Sequence, residues 1–581
     1  NLFNLLDEDK TRIDYRNMLS ESDDMNVMNY SYFYNGAGVA VGDINNDGLQ
    51  DLLFTGNMVK NRLYINKGNF EFKNVTDKSG IAGKQGWCTG ATMVDINSDG
   101  FLDIYICRSA DINPERRKNL LFINNGDLTF TEKAEEYGLA DHGYSTQSSF
   151  FDYDKDGDLD MFLINHSLQQ YTTGVQENVQ LRKEQNPDFA NKLYRNDNGK
   201  FKDISADAGI TSNVLTFGLG LAVSDINNDS WLDIYVSNDF NEPDYMFINN
   251  GNGTFTDKLK ESMSQISMYS MGSDVADYNN DGLPDMVTLD MLPESNETQK
   301  MHSGAENFDK MQFLFDRGFY FQFSRNMLQK NNGDGTFSEI GQIAGISNTD
   351  WSWAALFSDL DRDGKKDLFV TNGYVKDYTD MDFLKYTMDE TIRSRQQGNT
   401  VVAKDFIEKM PTIVQSNYVF QNVGNDRFEK KNTDWGLDQK GISAGAVYAD
   451  LDNDGDMDLV VSNTNENASV YKNNSELLNK NSYLRVQLKG DKQNSLGYGA
   501  KVILYAKGVK YFQEQIPVRG FQSSVDPVLN FGLGENQVLD SLFIIWPNDK
   551  SQKINNVKVN QTLTLDVKNA KVSVVDKGAL D

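Results

Sequence analysis

An acidic pattern of nine residues recurs seven times along this chain and limits what the chain can fold into. Each copy has Asp or Asn at position 3, Asp at positions 1, 5 and 9, and glycine at position 6, which Ser230 replaces in the fourth copy. The copies begin at Asp43, Asp95, Asp152, Asp225, Asp277, Asp359 and Asp450. Such repetition is typical of an architecture built from one structural unit copied in series.

Oxygen-bearing side chains on alternate residues of a tight turn are typical of a calcium loop, because Ca²⁺ takes about six to eight oxygens in flexible geometry. The predicted ligands are the side chains at positions 1, 3, 5 and 9 and the main-chain carbonyl at position 7. In chain order these are Asp43, Asn45, Asp47, Leu49, Asp51, Asp95, Asn97, Asp99, Phe101, Asp103, Asp152, Asp154, Asp156, Asp158, Asp160, Asp225, Asn227, Asp229, Trp231, Asp233, Asp277, Asn279, Asp281, Leu283, Asp285, Asp359, Asp361, Asp363, Lys365, Asp367, Asp450, Asp452, Asp454, Asp456 and Asp458. For any single copy, an ordinary Asp/Asn/Gly turn is the alternative. Seven copies in register favour up to seven structural calcium ions, with the Ser230 copy predicted to be weak or empty.

The overall charge narrows the range of partners. With 56 Lys and Arg against 85 Asp and Glu, the net charge is -29, which repels phosphate backbones and anionic lipids. We therefore expect no nucleic-acid partner. No stretch of the sequence approaches the roughly 18 to 20 apolar residues of a membrane-spanning helix.

The residues around each loop indicate strands rather than the helices of an EF-hand. An EF-hand needs a bidentate Glu at position 12, whereas the seven copies have apolar residues or Thr there, such as Phe54, Ile106 and Val461. Runs such as DIYVSN after the loops are short and β-branched, and a downstream segment such as NLLFINNGDLTF reads as a hairpin. Four strands in each of seven repeats predict an all-β fold, a seven-bladed β-propeller with calcium loops.

The two ends of the chain are predicted to meet. Most repeats continue with Phe and then Ile or Leu nine residues later, as in Phe72 and Ile81, but the seventh lacks this segment. Phe3 and Ile13 form a similar segment ahead of the first loop, so residues 3–16 are predicted to supply the outer strand of the last blade. The propeller is assigned to residues 1–478, and residues 479–581 are assigned to a small C-terminal β-sandwich or barrel domain.

The sequence resembles two known families. The acidic repeats resemble FG-GAP or VCBS repeats, whose propellers are similar to that of integrin α chains. The segment RGFQSSVDPVLNFGLGE, with the runs on either side of it, resembles the ASPIC/UnbV domain. The resemblance implies an exported protein of the bacterial cell surface or outer membrane, often a lipoprotein, sometimes associated with a nutrient transporter. Read alone, Gly520, Ser523, Ser524, Asp526 and Gly532 leave a ligand pocket and simple turn chemistry both open.

The residues alone do not decide whether the N-terminus has been processed or whether the two cysteines form a disulfide. The sequence begins at Asn1 without Met, which suggests a processed start, with a lipid anchor upstream as one hypothesis. Cys88 and Cys107 lie on strands predicted to be adjacent, so a disulfide and two buried thiols are alternatives.

Long insertions indicate where a partner binds. They run near 165–190, 291–325 and 373–416, between the second and third strands of blades three, five and six, and therefore on the face opposite the metal loops. The segments 381–397 and 401–410 have helical spacing. The aromatic residues of this face either stack on a ligand or pack the insertions onto the propeller. They are Trp351, Trp353, Tyr374, Tyr378, Phe383 and Tyr386.

A binding or assembly module with a protein or glycan partner is the function that the sequence favours. The chain has three histidines, His142, His166 and His302, and neither a GxSxG nor an HExxH motif. His166 follows the second strand of blade three on the predicted partner face, where a structural role is favoured. The alternative is a carbohydrate-active enzyme, a glycosidase or lyase, which needs a central cleft with two carboxylates.

Overall fold

The structure is a computed structural model that describes residues 1–83, 86–169, 171, 175–302, 308–397 and 406–572. Parts of the three predicted insertions, residues 170, 172–174, 303–307 and 398–405, lie outside the described residues. So does the first half of the predicted helical segment 401–410. Among the described residues, no helix combines the length and the apolar character needed to cross a membrane.

Each acidic loop joins two antiparallel strands that begin a four-stranded sheet. In the first sheet, Ala40 pairs with Leu53 and Gly42 pairs with Asp51, so the loop begins directly after the inner strand. The strands follow one another from the inner to the outer edge in chain order. Blades one to four consist of Val39–Gly42, Asp51–Phe54, Arg62–Asn66 and Phe72–Asn74; Trp87–Val94, Asp103–Ser109, Leu120–Asn124 and Phe130–Glu132; Ser145–Phe151, Asp160–Asn165, Lys192–Asn196 and Phe201–Asp203; Gly218–Ser224, Asp233–Asn238, Tyr245–Asn249 and Phe255–Asp257.

Three further sheets complete a ring. Blades five to seven consist of Ser273–Ala276, Asp285–Thr288, Met327–Asn331 and Phe337–Glu339; Ser352–Ser358, Asp367–Asn372, Tyr418–Gly424 and Arg427–Lys430; Ser443–Ala449, Asp458–Asn463, Ser469–Asn473 and Phe3–Leu5. Each inner strand contacts the inner strand of the next sheet, and Ser443–Ala449 contacts Val39–Gly42. The all-β propeller class predicted from the sequence is confirmed.

The N-terminal segment supplies the outer strand of the seventh sheet. Phe3 pairs with Asn473 and Leu5 with Tyr471, and the Leu6 amide donates to the Val470 carbonyl at 2.9 Å. A one-turn helix, Glu8–Thr11, follows this strand and leads to the buried Ile13. The same succession of strand, helical turn and buried aliphatic residue follows the third strand of the first, second, fifth and sixth repeats, so the two ends of the chain together complete the seventh blade.

Helices are short, apart from one in the sixth blade. The helical turns after or between strands are Glu8–Thr11, Thr76–Ser79, Pro114–Arg117, Ala134–Tyr137, Leu259–Ser262, Gly341–Ala344, Asn432–Trp435, Ser475–Leu478 and Val567–Asn569. The insertion helices are Val175–Leu181, Asn296–His302, Phe308–Leu314 with the π turn Phe315–Phe319, and Met381–Gln396. The last of these lies where helical spacing predicts it. Two small pairings also tie insertions down: Ile266–Ser267 with Gln322–Phe323, and Gln415–Ser416 with Lys440–Gly441.

The C-terminal segment forms two further sheets around a core of its own. One has three strands, Leu529–Gly532, Tyr483–Lys489 and Gln561–Asp566; the other has five, Val509–Glu514, Lys501–Ala506, Val538–Ile545, Lys550–Lys558 and Lys571–Val572. Fully buried Val486, Leu504, Leu542 and Trp546 are part of the apolar cluster between them. Alternation of apolar and polar residues along these strands accounts for one buried face on each sheet.

The two cysteines are separate buried thiols. Cys88 lies on the inner strand of blade two and Cys107 on the second strand, and neither forms a disulfide. Burial raises the pKa of the Cys88 thiol, which keeps it protonated. The buried-thiol alternative is therefore the correct one.

Candidate metal centres and their surroundings

Each acidic loop wraps its own main chain around the side chain at position 1. In the first loop, the Asp47 amide donates to Asp43 Oδ1 at 3.0 Å, and the Gly48 amide donates to Asp43 Oδ2 at 2.7 Å. The Asp47 amide also donates to Asn45 Oδ1 at 3.1 Å, and the Leu49 amide to Asp47 Oδ1 at 3.1 Å. These bonds turn alternate side chains towards the inside of the loop, the orientation that a shared cation needs.

Position 6 has left-handed backbone geometry in every loop. The φ angle is 85° at Gly48 and 99° at Gly157, values that glycine adopts without strain. Ser230 takes the same region with φ 78° in the fourth loop, where its amide still donates to Asp225 Oδ2 at 2.7 Å. The fourth loop therefore keeps the common backbone path at a local conformational cost.

Position 9 is the most deeply buried acid of each loop. Asp51 is fully buried and accepts hydrogen bonds from the Ile44 amide at 3.0 Å and the Asn66 amide at 2.8 Å. Burial, together with the smaller effect of the Asp43 and Asp47 charges, raises the pKa of Asp51 to about 8. The pKa is also raised, first by burial, at Asp103, Asp160, Asp233, Asp285, Asp367 and Asp458. A bound divalent cation would remove this penalty on the charged form.

Four loops bring three carboxylates together. Their ligand oxygens lie within 4.8 Å of one another in the groups Asp152, Asp154 and Asp156; Asp277, Asp281 and Asp285; Asp359, Asp361 and Asp367; Asp450, Asp452 and Asp458. Each group includes a buried oxygen with no hydrogen-bond partner among the described residues: Asp152 Oδ1, Asp285 Oδ2, Asp359 Oδ1 and Asp452 Oδ1. Buried carboxylate oxygens without a donor are costly, and a hard, oxygen-seeking cation such as Ca²⁺ fits them.

Protein cations already contact carboxylates in three of the loops, and in the sixth Lys365 Nζ lies 2.7 Å from Asp363 Oδ2. In the seventh, Arg485 Nη1 lies 3.0 Å from Asp450 Oδ2, and Lys472 contacts Asp452 and Asp454. In the fourth, Lys501 contacts Asp225, and the carboxylates of this loop are not among those that converge within 4.8 Å. The loops are therefore not equivalent, although their sequences are nearly so.

An asparagine at the end of each third strand takes part in the loops, and we did not predict its role. Asn66 Nδ2 donates to the Gln50 carbonyl at 3.1 Å and to the Leu451 carbonyl of the seventh loop at 2.9 Å. Five equivalents also reach the loop of the preceding blade: Asn124, Asn249, Asn331, Asn422 and Asn473. The sequence shows this residue as an Asn that recurs before each hairpin turn. Turn chemistry alone also explains an Asn at that position, so the sequence does not indicate the bond to the neighbouring loop.

The C-terminal domain covers the face of the propeller that carries the metal loops. Tyr483 packs on Gly455 of the seventh loop, and Asn479 Nδ2 donates to the Asp361 carbonyl of the sixth at 2.9 Å. Lys155 of the third loop lies 2.9 Å from Asp549. Ions in these loops would therefore lie beside the interface between the domains.

A hairpin of the C-terminal domain enters the axis of the ring. Ser524 pairs in parallel with Ala40 of blade one, and the Ser273 amide of blade five donates to the Gly520 carbonyl at 3.2 Å. Gln147 Nε2 of blade three donates to the Ser523 carbonyl at 2.9 Å. The inner strands of opposite blades are thus joined through residues 518–524.

Charged and aromatic side chains anchor this hairpin. Arg519 Nη1 lies 2.7 Å from Asp274 Oδ1, and the Phe521 ring lies 5.1 Å from the Trp353 ring. Turn chemistry describes the segment RGFQSS, because Phe521 and Gln522 form the tight turn between the strands Val518–Arg519 and Ser523–Ser524, with φ 72° at Gly520. Of the other two residues, Asp526 pairs with Arg485 at 3.3 Å and Gly532 packs against Asp359.

The opposite end of the axis is filled by an N-terminal aromatic segment, residues 30–34. Tyr30 OH lies 3.1 Å from His166 Nε2, and Tyr32 OH donates to Asp239 Oδ2 at 2.9 Å. Burial lowers the pKa of His166 to about 4, so the ring is neutral. His166 is a buried packing residue, consistent with the structural role that the sequence favours.

The aromatic residues of the insertion face pack internally. Trp351 stacks on Tyr374 at 3.9 Å, and Tyr378 meets Trp351 edge-on at 5.8 Å. Trp353 and Phe383 are buried, and Tyr386 is half-buried. They join the insertions to the propeller, the second of the two predicted alternatives.

Aliphatic residues are exposed on the same face. Along the helix Met381–Gln396, the side chains of Met381, Leu384, Met388 and Ile392 are 40%, 43%, 58% and 49% exposed. Their spacing of three and four residues places them on one side of the helix. We call these four residues the aliphatic stripe.

Two protein families match this chain. The ASPIC and UnbV family matches residues 490–572, and the FG-GAP-like repeat family matches residues 43–106, 225–288 and 319–370. FG-GAP-like repeats and an ASPIC and UnbV domain are thus found in this chain, and the resemblance drawn from the sequence is confirmed.

Individual proteins extend the comparison to most of the chain. Cartilage acidic protein 1 of Xenopus tropicalis is 25% identical over 549 residues, which cover 91% of this chain and 73% of that protein. A lectin of Agrocybe aegerita specific for non-reducing terminal N-acetylglucosamine has 17% identity and a TM-score of 0.35, covering 67% of this chain and 77% of its own. The rhamnogalacturonan lyase YesX has 11% identity and a TM-score of 0.35, with coverage of 76% and 72%. At these TM-scores, neither structure supports a conclusion about activity.

Proposed function

We propose that this chain is an exported, non-catalytic binding or assembly module, stabilised by calcium, that serves as an accessory subunit of an outer-membrane complex or transporter. The FG-GAP-like repeats and the similarity to cartilage acidic protein 1 support an extracellular binding role. The observation that carries the proposal is the aliphatic stripe on the insertion face.

The stripe favours a protein partner over a glycan. Its members are flexible aliphatic side chains, which a protein surface covers well by apolar burial. Sugars instead stack on exposed aromatic faces, and Trp351, Trp353 and Tyr374 of this side are buried. The insertion face therefore suits a partner that buries an amphipathic helix.

Co-purification from the producing cells tests this surface. The Leu384→Lys, Met388→Lys double variant places two charges in the stripe, and we expect the partner to be lost while the melting temperature is unchanged. The control is Leu477→Lys, because Leu477 is 75% exposed on a helical turn of the seventh blade, outside the insertions. Recovery of the same partner with the double variant would exclude the stripe as the binding surface.

Calcium is proposed as a structural ion. The converging carboxylates and unpartnered oxygens of loops three, five, six and seven support it. An ion that binds only the folded state stabilises it by about 2.7 kcal/mol per site at a free concentration 100 times Kd.

Chelation tests the ion. We expect EDTA to lower the melting temperature sharply, and added Ca²⁺ to restore it better than Mg²⁺, which requires a tighter octahedral geometry. Overlapping melting curves with and without EDTA, for a protein shown by metal analysis to be calcium-free in EDTA, would refute the proposal.

The alternative, a carbohydrate-active enzyme, has less support. Both ends of the axis are filled by the chain itself, at residues 30–34 and 518–524. The cavity between the hairpin and the blades, lined by Lys366, Glu514 and Arg519 among others, has about 40 Å³. That volume accommodates water and not a sugar ring. Release of sugars from a polysaccharide by the purified protein would favour the enzyme instead.

A further inference from the structure

We propose that the fourth acidic loop holds the ammonium group of Lys501 in place of a calcium ion, so that the C-terminal domain supplies a tethered cation to the propeller. This inference rests on the proposal that other loops of the ring bind calcium. It assigns to Lys501 a role that the repeat pattern alone does not contain.

Lys501 reaches the first ligand of the loop from the other domain. Its Nζ contacts Asp225 Oδ2 and lies 3.3 Å from Asn228 Oδ1. The Lys501 side chain is 8% exposed and that of Asp225 is 1% exposed. A buried ammonium needs a close carboxylate to offset its desolvation, and Asp225 provides one.

Both oxygens of Asp225 accept hydrogen bonds, and Oδ2 accepts two. Oδ1 accepts the Asp229 amide at 2.9 Å, and Oδ2 accepts the Ser230 amide at 2.7 Å as well as the Lys501 ammonium. A calcium ion bound to Asp225 would lie beside the ammonium, and the like charges would repel each other. The ammonium and the ion therefore compete for one place.

A second residue of the C-terminal domain holds the same end of the loop. Glu514 pairs with Lys501 across the neighbouring strand, and its Oε2 accepts the Ser224 hydroxyl at 2.6 Å and the Asp225 amide at 3.2 Å. Glu514 is buried. Because Glu514 fixes the main chain at Asp225 while Lys501 meets its side chain, the ammonium is positioned by the interface and is not a mobile surface charge.

The fifth loop shows the same ligand set without this cation. Asp277, Asp281 and Asp285 converge, and Asp285 Oδ2 has no partner among the described residues. The nearby Lys366 donates to the main-chain carbonyl of Asp277 at 2.8 Å. The two loops differ in what meets the position 1 carboxylate, so the fifth is a matched control for the fourth.

The seventh loop also receives a cation from the C-terminal domain, but the inference does not extend to this loop. Arg485 lies 3.0 Å from Asp450, but it also pairs with Asp526 at 3.3 Å. Three carboxylates still converge there, and Asp452 Oδ1 has no partner among the described residues. We therefore assign the replacement to the fourth loop alone.

Calcium analysis of the full chain tests the inference. Bound calcium per chain is measured after gel filtration in calcium buffer for the wild type, Asp225→Asn and Asp277→Asn. We expect Asp277→Asn to lose one ion and Asp225→Asn to lose none. Loss of one ion in Asp225→Asn would overturn the inference and leave the calcium proposal intact, whereas a calcium-free wild type would overturn the calcium proposal and this inference with it.

Removal of the ammonium gives a second measurement. Lys501→Met keeps most of the buried stem and frees Asp225 Oδ2, so we expect one additional bound ion per chain and a larger shift in melting temperature on adding EDTA than in the wild type. Lys501→Arg, which keeps the charge, is expected to bind the wild-type number. A folded Lys501→Met protein that binds no additional ion would overturn the role of Lys501.

Discussion

In six of the seven blades, the third-strand asparagine connects two neighbouring loops through one side chain. Asn66 is fully buried, and its amide group joins the Gln50 carbonyl of its own loop to the Leu451 carbonyl of the seventh. Because Leu451 lies in the seventh loop and Asn66 lies in the first blade, this side chain bonds between the last blade and the first.

We expect Asn66→Leu to lower the free energy of unfolding by about 1–3 kcal/mol, because buried carbonyls lose their donor and no water replaces it. Chemical denaturation in calcium buffer measures the change. Asn555→Leu, at an exposed strand position of the C-terminal domain, is the control and should change stability by less than about 0.5 kcal/mol. Equal effects of the two substitutions would contradict the bridging role.

A partly buried pair of His302 and Asp377 gives the second prediction at this scale. His302 Nε2 lies 2.5 Å from Asp377 Oδ2 and joins the insertions of blades five and six. The bond raises the pKa of His302 to about 9 and helps to lower that of Asp377. The stabilisation is complete below the unfolded-state histidine pKa of about 6.5 and is lost as the pH rises through about 9.

We therefore expect the difference in melting temperature between the wild type and His302→Ala to be largest near pH 6 and to shrink towards pH 10. Differential scanning fluorimetry across this range measures it. His142→Ala, at a histidine that is 51% exposed, serves as the control and should show a small difference throughout. A difference for His302→Ala that does not change with pH would exclude the charged pair.

The hydrogen-bonded geometry of the acidic loops follows from their local sequence, whereas the asparagine bridges do not. Alternation at positions 1, 3 and 5 is local, and the main-chain bonds that orient Asp43 and Asp47 come from the same nine residues. Asn66 instead bonds a carbonyl 385 residues away in the chain. Lys501 and Asp225 are likewise 276 residues apart. Nothing local in either segment indicates its partner.

At the scale of elements, the strand Phe3–Leu5 protects an edge. Without it, Ser469–Asn473 would present unpaired main-chain groups, which favour association with other chains. Phe3 is buried, whereas Leu5, two residues further along the strand, is 44% exposed. Substitution of Phe3 therefore removes buried packing from this strand, whereas substitution of Leu5 leaves that packing in place.

We expect Phe3→Ala to destabilise the protein by about 3–5 kcal/mol, whereas Leu5→Ala changes stability little. Thermal unfolding measures stability, and gel filtration detects the oligomers expected from an unprotected edge. Equal effects of Phe3→Ala and Leu5→Ala would contradict the closing role of this strand.

Elements with a strong local pattern could be predicted, and elements defined by distant contacts could not. The closing strand was visible because Phe3 and Ile13, ten residues apart, resemble Phe72 and Ile81, which are nine residues apart. The helix Met381–Gln396 was visible from its spacing. The hairpin Val518–Arg519 and Ser523–Ser524 has strands of two residues, too short for a periodic signal, and its pairing with Ala40 depends on the ring being formed.

At the scale of the whole molecule, the two ends of the ring's axis are filled from the two ends of the chain. Residues 30–34 fill one end and residues 518–524 fill the other. The second segment also carries the C-terminal domain onto the loop face. The C-terminal domain therefore acts as a part of the propeller's core as well as a separate unit with its own core.

The contacts of Arg519 with blade five anchor residues 518–524 in the axis of the ring. The Arg519 guanidinium lies 2.7 Å from Asp274, whose side chain is 1% exposed, and it also donates to the Val275 carbonyl at 2.8 Å. Arg519→Met leaves the Asp274 charge buried without its cation, which costs about 3–5 kcal/mol. We expect a lower melting temperature and faster cleavage by limited proteolysis within residues 515–528. Lys558→Met, at an exposed position of the C-terminal domain, should behave as the wild type.

A double variant distinguishes the effect of the unpaired, buried Asp274 charge from the effect of losing the Arg519 side chain. Arg519→Met combined with Asp274→Asn removes both charges, so we expect it to recover part of the stability that Arg519→Met alone loses. If the double variant is less stable than Arg519→Met and the cleavage pattern is unchanged in both, the ion pair does not hold the hairpin in the axis. In that case the pairing of residues 518–524 with the inner strands would suffice to keep the domain docked.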